Sequence, residues 1–296
     1  MKKFLILLLL FIEIVSFCSK ESENNIKQQT KKVIYAGARA SNYGIYPFPA
    51  PSRWVDMVDA IAGNFEGSIP TVIWIVGVMY GDKDCYLFFP RPQDGKNYEH
   101  IRFHDFDYYE KYLSYFDEHN VKVFLQVEPA NAEVTDLIEL VLNRYKKHKC
   151  VIGFGVDVEW YREADAPDWG VKVSDSLAKA WENKVKEINF DYKLFLKHWD
   201  YRWMPPNYRG EIIFVDDSQI FPDFDSMFHE FIDYWSKRFY PNQVCFQVGY
   251  PSDYKWWKNM DNPVKEIGQK LIDSTEQSCG IFWVDFTLYK LFPYKR

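Results

Sequence analysis

The sequence predicts a single (β/α)8 TIM barrel of the α/β class, with irregular fifth and eighth units. Three observations lead to this prediction: eight short runs rich in Val, Ile and Phe, amphipathic segments between them, and a body of roughly 265 residues, the usual size of one such barrel. The predicted strands are Val33 to Arg39, Thr71 to Met79, Val121 to Glu128, Val151 to Glu159, Tyr192 to His198, Glu211 to Asp217, Val244 to Gly249 and Gly280 to Asp285.

The segments between the predicted strands carry apolar residues at helical spacing. The clearest stripes are Val134, Leu137, Ile138, Val141 and Tyr145; Phe228, Phe231, Ile232 and Trp235; and Val264, Ile267 and Leu271. The fifth unit is irregular because the stretch from Tyr201 to Gly210 contains Pro205 and Pro206, and little chain follows the last strand. An open doubly wound sheet is the alternative, but no GxGxxG motif follows the first strand.

The amino terminus has the features of an export signal. Lys2 and Lys3 precede an apolar run from Phe4 to Phe17, and Cys18 follows it, which resembles a bacterial lipoprotein signal with a lipidated Cys18. The alternatives are an ordinary cleaved signal or an uncleaved anchor. We therefore expect a signal at 1–18, a polar tether at 19–32 and the barrel at 33–296, in a protein exported to the bacterial cell envelope and anchored to the membrane by its lipid.

Charge and cysteine content exclude some classes of partner. The net charge is −6, from 36 Lys plus Arg and 42 Asp plus Glu, and no long basic run is present, so we expect no nucleic-acid binding. The cysteines after Cys18 are Cys85, Cys150, Cys245 and Cys279, without CxxC or an evident His/Cys spacing. We predict no disulfide, no metal site and no cofactor.

Polar residues collect at the carboxyl ends of the predicted strands, the end at which barrel enzymes carry their chemistry. These strand ends carry Arg39, Glu128, Asp157, Glu159, His198, Asp216, Asp217, Gln247 and Asp285. A single residue of this kind also has a structural explanation, such as helix capping or ion pairing. As a group they predict an active site, and we expect substrate contacts from Arg39, Glu128, His198, Asp217, Gln247, Tyr250, Trp283 and Asp285.

The fourth predicted strand carries the most specific pattern. Alternation places Ile152, Phe154, Val156 and Val158 towards the helices, and Gly153, Gly155, Asp157 and Glu159 towards the barrel axis. The two glycines would leave space beneath the two carboxylates. Because neighbouring carboxylates disfavour joint ionisation, we expect one raised pKa, and hence a proton donor beside a charged helper.

The segment Gly153 to Trp160 resembles the fourth-strand motif of the chitinase-like glycoside hydrolases of family 18, and its Asp-Val-Glu is also similar to the strand of family 25 lysozymes. The resemblance implies Glu159 as general acid and Asp157 as the carboxylate that stabilises the substrate's acetamido group. Earlier acidic positions of the family are Ile152 and Gly155 here. The strand from Gly280 to Trp283 is similar to the family's last strand, which implies Trp283 as the floor beneath the sugar.

These observations favour hydrolysis of the O-glycosidic bonds of a polysaccharide such as chitin or peptidoglycan. If the acetamido group does not attack, Glu128, Asp217 or Asp285 would be nucleophile or base. Long loops from Tyr80 to His104 and from Tyr161 to Val173 would shape the cleft.

Two alternative functions fit the same residues. One alternative is a non-catalytic carbohydrate-binding lipoprotein. The other is a metal-dependent barrel hydrolase or isomerase with ligands among Glu128, Asp157, Glu159, His198 and Asp217.

Overall fold

Parallel strands close into a barrel in the computed structural model, which describes residues 31–293. The strands in chain order are β1 (Val33–Ala40), β2 (Ile69–Tyr80), β3 (Asp84–Leu87), β4 (Ile101–Phe103), β5 (Lys122–Val127), β6 (Val151–Asp157), β7 (Lys193–His198), β8 (Ile213–Asp216), β9 (Val244–Val248) and β10 (Cys279–Val284). Consecutive strands from β5 to β10 pair in parallel, and β5 also pairs with β2. β1 pairs with both β2 and β10, which closes the barrel. The predicted (β/α)8 barrel is therefore confirmed.

Helices surround this barrel and cover its outer face. They are α1 (Pro51–Ala62), α2 (Glu110–Glu118), α3 (Val134–Tyr145), α4 (Asp175–Ile188), α5 (Phe224–His229), α6 (Lys237–Phe239), α7 (Tyr254–Trp257), α8 (Pro263–Ser274) and α9 (Leu288–Leu291), with a π-helical segment, Glu230–Ser236, between α5 and α6. Asn262 caps the amino terminus of α8, where its side chain accepts a hydrogen bond from the Lys265 amide. Pro263 occupies the first turn. The three predicted apolar stripes lie in helices and contribute to the core.

The two predicted irregular units are confirmed. The connection after β7 contains the short 3₁₀ helix Tyr201–Trp203, and the chain after β10 forms the 3₁₀ helix Asp285–Thr287 followed by the four-residue α9. One prediction is corrected, because the long loop predicted after β2 contains the strands β3 and β4. β3 pairs antiparallel with the extended end of β2, and β4 pairs with β3.

The barrel interior is packed with side chains from the strands. This inner cluster consists of Ile73, Phe124, Phe195, Ile213, Val215, Cys245 and Phe282, with Tyr35 and Ile152 against it. Ile152 therefore packs on the inner side, contrary to the prediction, next to a register shift between β5 and β6. Phe154, Val156 and Val158 belong to the outer core, as predicted.

The glycines of β6 have a different role from the predicted one. A Cβ atom on Gly155 would lie 1.9 Å from the Phe195 ring, and one on Gly153 would lie 2.1 Å from the Lys193 carbonyl and 2.8 Å from the Phe124 ring. The glycines therefore admit two phenylalanine rings into the barrel and leave no space beneath the site. β6 also ends at Asp157, so that Glu159 lies in the 3₁₀ helix Val158–Trp160 and not on the strand.

The amino-terminal predictions lie outside the described residues, since the export signal with Cys18 and the tether up to residue 30 are not covered. Among residues 31–293, no helix is both long and apolar enough to cross a bilayer. Cys85, Cys150, Cys245 and Cys279 are all buried thiols.

Candidate active site

The carboxyl ends of the barrel strands carry a network of polar side chains, here called the barrel mouth. Most of its members are buried, and they come from different strands: Arg39, Gln126, Glu128, Asp157, Lys197, Asp217, Gln247, Tyr250 and Asp285. Glu159, at the rim, is partly exposed. Most of the site residues predicted from sequence therefore converge on one region, but His198 and Trp283 do not, and the network also contains residues that were not predicted.

A lysine occupies the centre of one half of the barrel mouth. The Lys197 ammonium lies 2.8 Å from Asp157 Oδ2 and also contacts Asp217 Oδ2. Gln126 Nε2 donates to the same Asp157 oxygen over 3.2 Å. Burial raises the pKa of Asp157; Lys197 opposes this effect, and the negative charge of Asp217 adds to it. With both carboxylates ionised, one cation between them would leave excess negative charge, and this favours proton binding by Asp157.

This arrangement corrects the predicted role of Asp157. The residue is only 2% exposed and is ion-paired, so its carboxylate does not share an open hollow with Glu159. A carboxylate in this position does not contact an acetamido group directly. Its carboxylate contacts Lys197 and Gln126 instead.

Glu159 has the surroundings expected of a proton donor. No hydrogen bond joins its carboxylate to another described residue. Burial raises the pKa of Glu159 to about 7, and the charges of Asp217 and Glu128 contribute to the shift. A carboxylic acid with this pKa is half protonated at neutral pH. It is therefore suited to general acid catalysis.

An ion pair at the other half of the mouth joins the first and last strands. Arg39 Nη1 donates to Asp285 Oδ1 over 2.7 Å, and the Ser41 amide and hydroxyl donate to Asp285 Oδ2 over 2.6 and 2.8 Å. A Cβ atom on Gly44 would lie 2.1 Å from the same carboxylate. Because both Asp285 oxygens are engaged and the residue is fully buried, Asp285 closes the barrel and is not available as a nucleophile or base.

Tyr43 connects this ion pair to Glu128. The Tyr43 hydroxyl accepts from Arg39 Nη2 over 3.2 Å and donates to Glu128 Oε1 over 2.6 Å. The Met79 amide donates to Glu128 Oε2 over 3.0 Å. Both oxygens of Glu128 are thus occupied, whereas Tyr43 itself is half exposed at the rim.

The barrel mouth retains unused hydrogen-bonding capacity. Several buried side-chain atoms have no hydrogen-bond partner among residues 31–293: Arg39 Nε, Gln126 Oε1, Asp157 Oδ1, Asp217 Oδ1 and Gln247 Nε2. Buried polar groups are normally satisfied, and clusters of exceptions are typical of functional sites. The mouth therefore contains buried donors and acceptors that have no partner within the described part of the protein.

Comparisons with known proteins do not supply a family. No family model matches the chain, and no curated protein matches it. Among solved structures, an intracellular xylanase from Thermoanaerobacterium saccharolyticum, a mutant in complex with xylotriose, matches 87% of this chain and 87% of its own at 13% identity, with a TM-score of 0.39. Similarity at that level does not transfer a function to this chain.

Both ring nitrogens of His198 are engaged by backbone groups, so the side chain is not available to a ligand at the barrel mouth. Its Nε2 lies 2.8 Å from the Trp169 carbonyl, and its Nδ1 accepts from the Asp200 amide over 2.7 Å. Burial lowers the pKa of His198 to about 4, so the ring is neutral and its proton is on Nε2. The predicted substrate contact from His198 is wrong, and the residue anchors the loop that carries Trp169.

Trp283 is also misplaced by the sequence prediction. Its ring is 1% exposed and lies in the outer core, with its centroid 5.0 Å from that of Trp257. Its indole nitrogen donates to Thr287 Oγ1 over 2.8 Å. A ring in this position cannot be the floor beneath a sugar. Tyr250 and Gln247 do lie at the mouth, where the Tyr250 hydroxyl donates to Gln247 Oε1 over 3.1 Å.

The mouth is poorly suited to a divalent cation. The Lys197 ammonium already lies between the carboxylates of Asp157 and Asp217, and both nitrogens of His198 are engaged by backbone groups. These contacts weaken the metal-dependent alternative.

A different set of donor atoms lies before β6, at the opposite end of the barrel. Asp117, His148 and Cys150 place ligand-type atoms within 4.8 Å of one another, and the His148-x-Cys150 spacing was overlooked in the sequence. His148 Nδ1 is 2.7 Å from Asp117 Oδ2, the Cys150 amide donates to Asp117 Oδ1, and the Cys150 thiol donates to the Leu113 carbonyl. Each group already has a partner within the protein.

Sequence reasoning missed Lys197, Gln126 and Tyr43. A signal existed for the first two, since Lys197 and Gln126 follow the inward-facing Phe195 and Phe124 by two residues, and strand alternation places them inside the barrel. No such signal existed for Tyr43, which lies in a loop.

Proposed function

We propose that this protein hydrolyses O-glycosidic bonds of an N-acetylated polysaccharide at the barrel mouth, with Glu159 as the general acid. The observation that carries this proposal is a partly exposed carboxyl group with a pKa of about 7 at the carboxyl ends of the barrel strands. Protonation of the leaving oxygen requires such a group. The excess negative charge of the mouth is suited to the positive charge that develops on the sugar ring in the transition state.

Among the remaining carboxylates, Asp217 is best placed to be the second group. Asp285 and Glu128 have donors on both oxygens, whereas Asp217 has Oδ1 without a described partner and Lys197 on Oδ2. In this scheme the buried Asp217 stabilises the oxocarbenium-like transition state through its charge. Asp157 is a positioning residue that holds Lys197 in place.

A second candidate function is carbohydrate binding without hydrolysis. It is favoured by the burial of Asp157, the residue matched to the stabilising carboxylate of family 18, in an ion pair. In that case oligosaccharides would bind to the intact protein and no product would be released.

The test is hydrolysis of chitin oligomers and peptidoglycan by the intact protein and by Glu159→Gln. Loss of a general acid should lower the rate by about 10²- to 10⁴-fold. Glu118→Gln, which changes an exposed carboxylate at the end of α2, is the matched control and should retain full activity. Undiminished turnover by Glu159→Gln would refute the assignment, and binding without turnover by the intact protein would favour the second candidate.

We also propose that the protein acts in the cell envelope as an exported lipoprotein attached through Cys18. The support is the charged and then apolar order of residues 1–18 and the polar stretch at 19–32.

A further inference from the structure

A pocket of about 540 Å³, here called the aromatic pocket, lies between the segment after β1 and the chain around β3, β4 and α2. Its lining is mainly aromatic and includes Tyr46, Phe48, Tyr86, Phe88, Tyr108 and Tyr112. Its volume is within the range of small-molecule sites, and several of its rings carry a hydroxyl group at one edge. Nothing in the mechanism above uses this pocket.

Ring contacts hold the wall of the aromatic pocket in place. The Tyr108 ring lies with its centroid 4.7 Å from that of His104, at 70°, and 5.9 Å from that of Phe88, at 86°. The Phe88 ring in turn meets Tyr86 at 5.4 Å and 76°. These are edge-to-face arrangements, which fix the orientation of each ring before a ligand arrives.

The lining also has little charge. Among the described residues, no Asp or Glu lines the aromatic pocket, and Lys111 and His104 are its only titratable nitrogen-bearing side chains. An uncharged or weakly anionic ligand is therefore favoured over a cation. A pyranose ring combines apolar C–H faces with hydroxyl groups at its edge, which matches rings that carry polar tips.

The segment after β1 connects the aromatic pocket to the barrel mouth. Ser41 and Tyr43 hydrogen-bond Asp285 and Glu128 at the mouth, and Asn42, between them in the chain, lines the pocket. A ligand in the pocket would thus lie next to the residues that surround Glu159.

Two aromatic side chains at the pocket are exposed to solvent. Tyr46 is 97% exposed and Tyr108 is 43% exposed, although both line the cavity. Large exposed aromatic groups beside a preformed cavity are characteristic of ligand contacts.

We infer that the aromatic pocket binds a pyranose ring of the glycan chain, at a subsite away from the bond that is cleaved. This inference rests on the proposed function, because it assigns the pocket to the same substrate. It adds that the enzyme prefers long oligosaccharides, since only a chain of several sugars reaches both the pocket and Glu159.

The test is calorimetric titration of Glu159→Gln, which should bind without cleaving, with N-acetylglucosamine hexamers and with cellohexaose. Whichever hexamer binds, the additional substitution Tyr108→Ala should lower its affinity by about tenfold, as expected for loss of an aromatic contact. Tyr46→Ala should also weaken it, and because this side chain is 97% exposed, its removal does not threaten folding. Tyr289→Ala, which removes a 48% exposed tyrosine from α9, is the control and should leave affinity unchanged.

Each outcome separates the subsite from the proposed function. Hexamer binding that is unchanged in both Tyr108→Ala and Tyr46→Ala, or no binding of either hexamer, would overturn the subsite, whether or not the intact protein cleaves glycans. Weakened binding in these variants, together with no product from the intact protein, would support the subsite and reject hydrolysis.

Discussion

Glu159 and Asp157 are two residues apart in the chain, yet their surroundings give them different chemistry. Asp157 ends β6 and is enclosed with Lys197, while Glu159 lies one turn further in a 3₁₀ helix and is partly exposed. Acidic side chains therefore have different roles here: Asp157 is enclosed in a buried ion pair with Lys197, and Glu159 is a partly exposed acid that can meet a ligand.

The raised pKa of Glu159 predicts a pH-dependent stability difference. Its pKa is about 7 in the folded protein against 4.5 ordinarily, so the folded state disfavours its ionisation, and stability is lost as pH rises from about 4.5 through 7. Glu159→Gln removes this cost. We expect the variant to be more stable than the parent at pH 8, by on the order of 2 kcal/mol after allowance for partial exposure, and equally stable at pH 4.

Urea unfolding of both proteins at pH 4 and pH 8 measures this difference. A stability gap of the same size at both values would contradict the shifted pKa, because it would have to come from packing.

Removal of the Lys197 cation should be costly. Lys197→Met leaves Asp157 and Asp217 buried without a counter-ion, and breaking a buried pair in this way typically costs about 3–5 kcal/mol. Because burial raises the pKa of Asp157, protonation of this carboxyl relieves the repulsion, and the loss should become smaller as pH falls towards 4. The measurement is the free energy of unfolding in urea at pH 7 and at pH 4.

The matched control is Lys96→Met, which removes an exposed pair with Glu139 and should cost less than about 1 kcal/mol. If Lys197→Met proved as mild as this control, Lys197 would not be the counter-ion that holds the two carboxylates.

At the scale of elements, the packing of β6 against its neighbours predicts the effect of a single methyl group. A Cβ atom on Gly155 would lie 1.9 Å from the Phe195 ring, so Gly155→Ala forces the ring or the strand to move and should cost about 1–3 kcal/mol. Adding Phe195→Leu makes room for the methyl group. The double variant should therefore lose less stability than the sum of the two single variants. Additive losses would show that the ring and the glycine do not share this space.

The strands and the outer helices could be predicted from sequence because their patterns are local. Alternating and helical apolar spacing is present within each segment, as in α3 and α8. The strands β3 and β4 have four and three residues, too few for a pattern; β3 depends on pairing with the extended end of β2, and β4 depends on pairing with β3. The pairing of β4 with β3 joins residues on either side of the loop between Leu87 and Ile101, a contact that no local pattern indicates, so the sequence alone predicts a loop.

The candidate site was predictable only in part, for a related reason. Strand alternation indicated that Asp157 faces inward, but the partner that neutralises it, Lys197, comes from the next barrel strand. The burial of Trp283 depends on Trp257, which lies in α7. Whether a strand-end residue is open or enclosed is decided by neighbouring units and not by its own strand.

For the whole molecule, the hydrogen-bond network links the first strand, the last strand and the middle of the barrel. Asp285, just after β10, holds Arg39 of β1, and Tyr43 carries the contact on to Glu128 beside β5. The mouth therefore forms only when the barrel closes, so that the acid at Glu159 acquires its surroundings in the folded protein alone.

The proposed location of the whole protein makes a last prediction. If Cys18 carries the lipid, Cys18→Ser should leave export and the barrel intact but remove the anchor, because one or more acyl chains supply the membrane affinity and the tether at 19–32 is polar. In detergent phase partitioning, the parent protein should enter the detergent phase and the variant the aqueous phase, while Ser19→Ala, next to it, should behave as the parent. A variant that still partitions with detergent would indicate that the apolar run from Phe4 to Phe17 remains uncleaved as the anchor, since that run alone is then left to hold the protein in the membrane.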